Sequence, residues 1–386
     1  MERIRGVDVA RGLAVLGMMS AHVGVIGPDL WSTDGWLGIV DGRSSALFAV
    51  LAGLSIALLS GGPVAPDGAA VRRVRVRVLV RGAVLLLLGT VLTALGTPIA
   101  VILPSYGVLF ALALPALRLP PAVLVTLAAA VAVGGPAICF PLVAALTAAG
   151  DPPTGLLELL IAGYYPAVIW MAYVLAGLAV GRSDLRSGRL RGRLLATGVA
   201  LAVVGYGGGV LGTALAAGQP AGVLAFLSVE PHADSTVEVT GNIGVALVVL
   251  VVCLWVADRW PRTVAPIAAT GALALTAYCT HIVVIAVLGP QVVREPRVGV
   301  HVAFLVVTVL LATLWRRLLG RGPLERGLHE VSTRVAAMVT DGPPSGPGGG
   351  PHPGPVGGVA PPRPAGAPAP DQGQTSSRVQ PSGERR

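Results

Sequence analysis

Asp8, Arg11 and His22 stand in one apolar stretch, RIRGVDVARGLAVLGMMSAHVG, and Asp41 and Arg43 open the next, DGRSSALFAVLAG. Ionisable groups at membrane depth cost roughly 2.5–3.5 kcal/mol each on insertion scales, so their retention points to function. On a helix, the 11-residue step from Arg11 to His22 is about three turns with only ~20° left over, and covers ~16 Å of axis. Asp8 lies one turn before Arg11, so all three residues can share a face. A second histidine, His281, falls in a late apolar run, and Tyr164 and Tyr165 fall in a middle one. Two histidines with an aspartate and an arginine at one depth would provide a general base, an orienting carboxylate and an anion-stabilising cation. Arg11, near the opposite face, could meet the phosphates of a ligand entering from there.

The elements that must carry these residues are membrane helices. The chain of 386 residues is 54% hydrophobic and only 12% charged, half the charge of a typical soluble domain. Apolar runs of membrane-spanning length recur along it, which predicts an all-α, polytopic transmembrane helical bundle. Reading boundaries from Gly, Pro and Arg gives about ten spans: 7–26, 41–59, 78–95, 99–117, 122–148, 156–180, 194–216, 239–256, 264–288 and 298–314. The short stretches at 60–77, 118–121, 181–193 and 257–263, and everything after 315, where the dense arginine clusters fall, then share one side with both termini. The acidic or mixed loops at 27–40, 149–155, 217–238 and 289–297 fall on the other side. By the positive-inside rule the termini are expected to be cytoplasmic; the expected location is the cytoplasmic (plasma) membrane.

The net charge of +9 carries no nucleic-acid implication, because every cation other than histidine is an arginine and these flank apolar runs. Cys139, Cys253 and Cys279 have neither disulfide nor metal-ligand spacing, and no metal site is expected. Nucleotide-loop, metalloprotease and serine-hydrolase motifs are absent from the sequence. Residues 324–340 read as a short surface helix. From 342 the composition turns to Pro, Gly, Ala and Ser, which predicts a disordered cytoplasmic tail over 342–386 behind a membrane domain spanning 1–341.

Each polar residue also has a structural reading. Asp8 and Arg11 could form an i,i+3 ion pair that fixes helix orientation, and His22 could bond a neighbouring carbonyl. His281 could pack on Tyr278. Tyr164 and Tyr165 could be packing aromatics, and His232 with its acidic neighbours could lie in a solvated loop. His301 has no charged neighbour in sequence.

RIRGVDVARGLAVLGMMSAH followed by DGRSSALFAVLAGLSIAL resembles the N-terminal signature (residues 3–60) of the transmembrane acyltransferase superfamily. The nearest branch is the heparan-alpha-glucosaminide N-acetyltransferase catalytic-domain-like proteins. GYYPAVIWMAYVLAGLAVGRSDL is similar to the same group. TGNIGVALVVLVVCLWVADRW and PIAATGALALTAYCTHIVV resemble the C-terminal domain of unknown function 418 of bacterial members, over about 180–325. The Arg-x10-His spacing of Arg11 and His22 is similar to that of the acyltransferase-3 family. The eukaryotic sugar acetyltransferases carry their histidine further along, where this chain has WSTDGW.

The resemblance implies transfer of an acetyl or other acyl group from cytoplasmic acyl-CoA to an extracytoplasmic acceptor such as a sugar or cell-envelope glycan. It implies His22 as catalytic base, with Asp41 and Arg43 shaping the active site; on the residues alone His281, at similar depth, is the rival base. It further implies that Arg11 binds or orients the donor; on the residues alone, Asp8 beside it and Tyr164 and Tyr165 at mid-membrane depth are further candidates for holding the donor. The expected partners are membrane lipid, acyl-CoA and the acceptor, with a homodimer allowed for and no nucleic acid. Two other functions fit the same charges: export or transport of a small polar or anionic solute, and a non-catalytic membrane protein.

Overall fold

Residues 4–27 and 35–341 are described by the computed structural model, and every described regular element is helical. Asp29, Trp31 and Asp34 of the first loop, and the 342–386 segment, lie outside the described residues. The helices in chain order are α1 (Arg5–Val23), α2 (Arg43–Leu59), α3 (Ala69–Thr93), α4 (Leu103–Leu112), α5 (Pro121–Ala148), α6 (Gly155–Ile161), α7 (Ala167–Gly181) and α8 (Gly188–Ala202). They continue with α9 (Gly208–Leu215), α10 (Ala221–Ala225), α11 (Thr236–Arg259), α12 (Ala265–Ala272), α13 (Ala274–Leu288), α14 (Gln291–Arg294), α15 (Val298–Leu318) and α16 (Pro323–Asp341). Short 3₁₀ turns cover Trp36–Val40 and Pro115–Arg118, and a π-helical turn over Val203–Gly207 joins α8 to α9.

Among the described residues, six helical segments are long and apolar enough to cross a membrane: Trp36–Leu59, Ala70–Thr93, Pro121–Ala148, Gly188–Leu215, Thr236–Arg259 and Val298–Leu318. A seventh is α12 with α13, bent by 79° at Leu273. The protein is therefore a multi-pass helical membrane protein. α4 and α7 are apolar but shorter. α1 falls outside the six because Asp8, Arg11 and His22 dilute its hydropathy. Its polar residues face protein rather than the surroundings: α1 is packed by α12, α11 and α2, and Asp8 is 5% exposed.

Three sequence expectations change in the structure. The arginines from Arg72 to Arg81 form the first turns of α3 rather than a loop. No Gly or Pro interrupts the run, and α16 lies along it: Arg72 donates to the Thr340 carbonyl at 2.8 Å and Arg81 to Ser332 Oγ at 3.3 Å. The apolar 156–180 stretch is two helices, because Gly163 takes φ +71° and Pro166 has no amide to continue the ladder. Tyr164 and Tyr165 thus sit in the break between α6 and α7. The 264–288 stretch bends at Leu273, two residues after Gly271, whose backbone lies against the Asp8 carbonyl of α1.

Glycine sets the closest helix crossings. On α2 and α7, Gly53 meets the Val174 carbonyl and Gly177 meets the Val50 carbonyl, leaving no room for a Cβ at either position. Arg182, only 5% exposed, ends α7 by donating to carbonyls at the end of α2, among them Gly62 at 2.7 Å. It satisfies the orphan acceptors that a helix C-terminus leaves.

Candidate active site

α1 carries its two functional candidates at opposite ends. Arg11 lies in the second turn and His22 in the last. Near the start of the helix, Arg11 pairs with Asp8 at 3.1 Å and donates to Ser55 Oγ on α2 at 2.7 Å. These bonds fix the guanidinium at the edge of a cavity of about 350 Å³. Arg81 from α3 and Arg321, just before α16, line the same cavity. So does Tyr106 of α4, 2% exposed, whose hydroxyl has no partner among the described residues. His329 on α16, which also lines the cavity, is held below its usual value by burial and by Arg321, Arg81 and Arg77, with Glu330 opposing. Three guanidiniums and an idle buried hydroxyl suit a phosphate-bearing ligand.

The floor of this cavity is built by a contact across the chain. Glu325 accepts from the Leu275 amide at 2.8 Å, the Thr276 amide at 3.0 Å and Thr276 Oγ1 at 2.6 Å. Those amides belong to the first turn of α13, which has no intrahelical partners for them. The carboxylate also complements the positive end of the α13 dipole. α13 is thereby held in its bent position, with His281 two turns further along.

At the other end of α1, His22 Nδ1 and His281 Nε2 lie 3.0 Å apart, with rings 5.2 Å between centroids and 17° from parallel. His22 is half-buried and His281 is 3% exposed. If His22 Nδ1 carries the proton, it donates to His281 and leaves His22 Nε2 as a free base. The opposite tautomer puts the proton on His281 and closes His22 as a base. Next to this pair, His301 Nε2 bonds Ser20 Oγ at 2.9 Å, so His301 has a partner that its sequence neighbours do not suggest.

Asp41 and Arg43 join a different set of groups. Asp41 stands 3.9 Å from His232 Nε2, and its carboxylate accepts from the Gly42 amide at 3.0 Å. Arg43 lies over the Tyr206 ring at 4.6 Å. The His232 ring stacks on Trp170, 9° from parallel, with Tyr164 and Tyr165 edge-on to it. Glu238 anchors the loop beneath: it accepts from the His232 amide at 3.0 Å and the Asp234 amide at 2.6 Å. His232 and Asp234 both take positive φ, 62° and 53°, which this carboxylate holds in place. Asp234 in turn accepts from the Trp170 indole at 2.7 Å. Burial, reinforced by Glu238, pushes the Asp234 carboxyl well above its ordinary range, against the indole bond. Burial lowers the His232 imidazole, with Asp41 opposing.

The sequence-level site therefore resolves into three places. His22 and His281 meet. Arg11 lines the arginine cavity with Asp8 behind it. Asp41, Arg43, Tyr164 and Tyr165 surround His232, which sequence reading left in a solvated loop. Asp234 and Glu238 were not read as site residues, because their partners lie on helices far away in sequence or on a loop whose backbone is unusual. Tyr106, Arg81, Arg321 and Glu325 were also missed, each being one polar residue in an apolar or basic run. Among the described residues no group of three or more His, Cys, Asp or Glu side chains could hold a metal ion.

A family model described as heparan-alpha-glucosaminide N-acetyltransferase, catalytic, matches residues 3–206. A second, described as protein of unknown function (DUF418), matches residues 186–334. The His pair draws on both, His22 from the first segment and His281 from the second. No curated protein matches the chain. Since the first match covers more than half of the sequence, the chain belongs to the heparan-alpha-glucosaminide N-acetyltransferase catalytic family, continued by a DUF418 segment.

Proposed function

We propose that this protein is a membrane acyltransferase, taking an acetyl or other acyl group from acyl-CoA at its arginine-rich end and passing it to an amine or hydroxyl at the far end of α1. One observation carries the reading: a single buried helix links an arginine-lined cavity to a hydrogen-bonded histidine pair ~16 Å away. Arg11, Arg81 and Arg321 would hold the CoA phosphates, leaving the extended pantetheine arm to reach the histidines. His22, the more accessible ring, would take the acceptor's proton, and the thioester carbon–sulfur bond would break as the new bond forms. The same proton would then pass to the CoA thiolate. Buried His281 would be the positioning residue that selects the His22 tautomer.

The density of arginine at the Arg11 end supports a cytoplasmic donor side and cytoplasmic termini. Counting α1, α4 and α7 with the seven longer segments supports ten spans. The cluster around His232, with Asp41, Arg43, Tyr164 and Tyr165, would then face the extracytoplasmic side. Aromatic faces beside carboxylates there suit a sugar-like acceptor. The domain division at 341/342 and the plasma membrane as location belong to the same proposal.

The test is acetyl-CoA binding and CoA thiol release by the purified protein. Arg11→Ala is expected to weaken binding about tenfold or more. His22→Ala is expected to keep binding but lose about 10²–10⁴-fold in turnover. Survival of both activities in both variants overturns the assignment, and solute flux in proteoliposomes without CoA would favour a transporter.

A further inference from the structure

On the side of α13 away from the arginines lies a second cavity, of about 490 Å³. It is a slot between α13 and α15, which touch only lightly. Its lining runs from Trp315 and Pro323 past Thr308, Val307 and Phe304 to His281 and Val284. Among the described residues no Asp, Glu, Lys or Arg lines it. From Leu273 at the bend to Val284 of α13 the lining covers ~16 Å of axis, about the hydrocarbon depth of one leaflet.

The slot opens sideways. Val307 and Leu311 line it and are 51% and 60% exposed, on a helix whose other large apolar side chains, such as Leu310 and Leu314, are also exposed. The medium against such a face is lipid, so a hydrocarbon chain reaches the slot without crossing water. The lining offers a phosphate or nucleotide no lysine or arginine to pair with. An acetyl group, the acyl unit in the family's description, is too small to need it.

We infer that the acceptor is a membrane lipid, whose chain lies between α13 and α15 and whose amine or hydroxyl head reaches the His22–His281 pair. This rests on the acyltransferase reading and names its acceptor class. The head-group nitrogen or oxygen attacks the thioester carbonyl of acyl-CoA. An amide or ester bond forms, the carbon–sulfur bond breaks, and the displaced proton passes through His22 to the CoA thiolate. The extracytoplasmic sugar proposed above is then the head of a glycolipid.

The experiment places a photoreactive phenylalanine at Val307, in the slot, and separately at Leu314, exposed on α15 but outside it. Full-length protein in nanodiscs of native lipid extract is crosslinked and the adducts are identified by mass spectrometry. The expected result is one lipid class at Val307 at tenfold or more over its level at Leu314, lost when Ala303→Trp fills the slot. In parallel, label from acetyl-CoA is expected in the lipid extract, and to fall at least tenfold in Ala303→Trp. Identical lipid profiles at Val307 and Leu314 overturn the inference, since they show bulk lipid only. So does competition for the slot by long-chain acyl-CoA, which makes the chain the donor's. Label transfer to soluble glucosamine that Ala303→Trp leaves unchanged also overturns it, while the acyltransferase reading stands. Loss of thiol release under every condition, with acetyl-CoA unbound, overturns both.

Discussion

His22 and His281 share one hydrogen bond but differ in accessibility: His22 is half-buried and His281 is 3% exposed. Burial also governs His232. Its imidazole titrates below the ordinary 6.5, with burial as the main cause and Asp41 in opposition. Glu238 approaches it only through the backbone amide, and Trp170, Tyr164 and Tyr165 cover the ring. A base depressed in the folded state contributes stability that is complete above pH 6.5 and lost as pH falls through its folded value. Asp234 has the opposite sign: its raised carboxyl contributes stability below 3.8 that is lost as pH rises through its folded value. The melting temperature measured between pH 4 and pH 7 should therefore respond oppositely to two substitutions. His232→Gln should flatten the fall toward acid, and Asp234→Asn should steepen it. Parallel shifts in both variants would contradict these assignments.

Among the elements, α13 is the one whose position is imposed from outside. Its first-turn amides are satisfied by Glu325 of α16 rather than by a local cap. Glu325→Ala leaves two half-buried amides and a hydroxyl without their acceptor, a loss of about 1–3 kcal/mol. Thermal unfolding should register it, and acyl transfer should fall with it because His281 rides on the same helix. This contact was not legible in sequence: Leu273 carries no helix breaker, and Glu325 sits fifty residues beyond the amides it serves. Where the sequence did speak clearly, the signal was local. The long apolar runs of α5, α11 and α15 marked their own limits, and the surface-helix reading of 324–340 matches α16. The arginines of α3 misled because charge normally marks a loop, whereas here α16 covers them. His22 and His281 were conspicuous as histidines in apolar runs, yet only tertiary packing shows that they meet. The Trp170–Asp234 bond, bridging 64 residues, left no trace in either local pattern.

For the whole molecule, orientation is the property on which the donor and acceptor sides depend. Gly188 and Gln219 flank the continuous Gly188–Leu215 segment, and both are exposed. Cys139, Cys253 and Cys279 are buried, so single introduced thiols can be read against a quiet background. An impermeant maleimide added to intact cells should label Gln219→Cys, and should label Gly188→Cys only after permeabilisation. The reverse pattern would invert the proposed topology. The burial of α1 has a further consequence, for synthesis. Its neighbours α11 and α12 begin roughly 210 and 240 residues after α1 ends. At translation rates of about 5–20 residues per second, α1 emerges on the order of 10–40 s before those partners exist. During that interval Asp8, Arg11 and His22 lack the packing that α11 and α12 provide, so the nascent chain must shelter this polar-studded helix, in the insertion machinery or at the membrane surface, until the second half of the protein arrives.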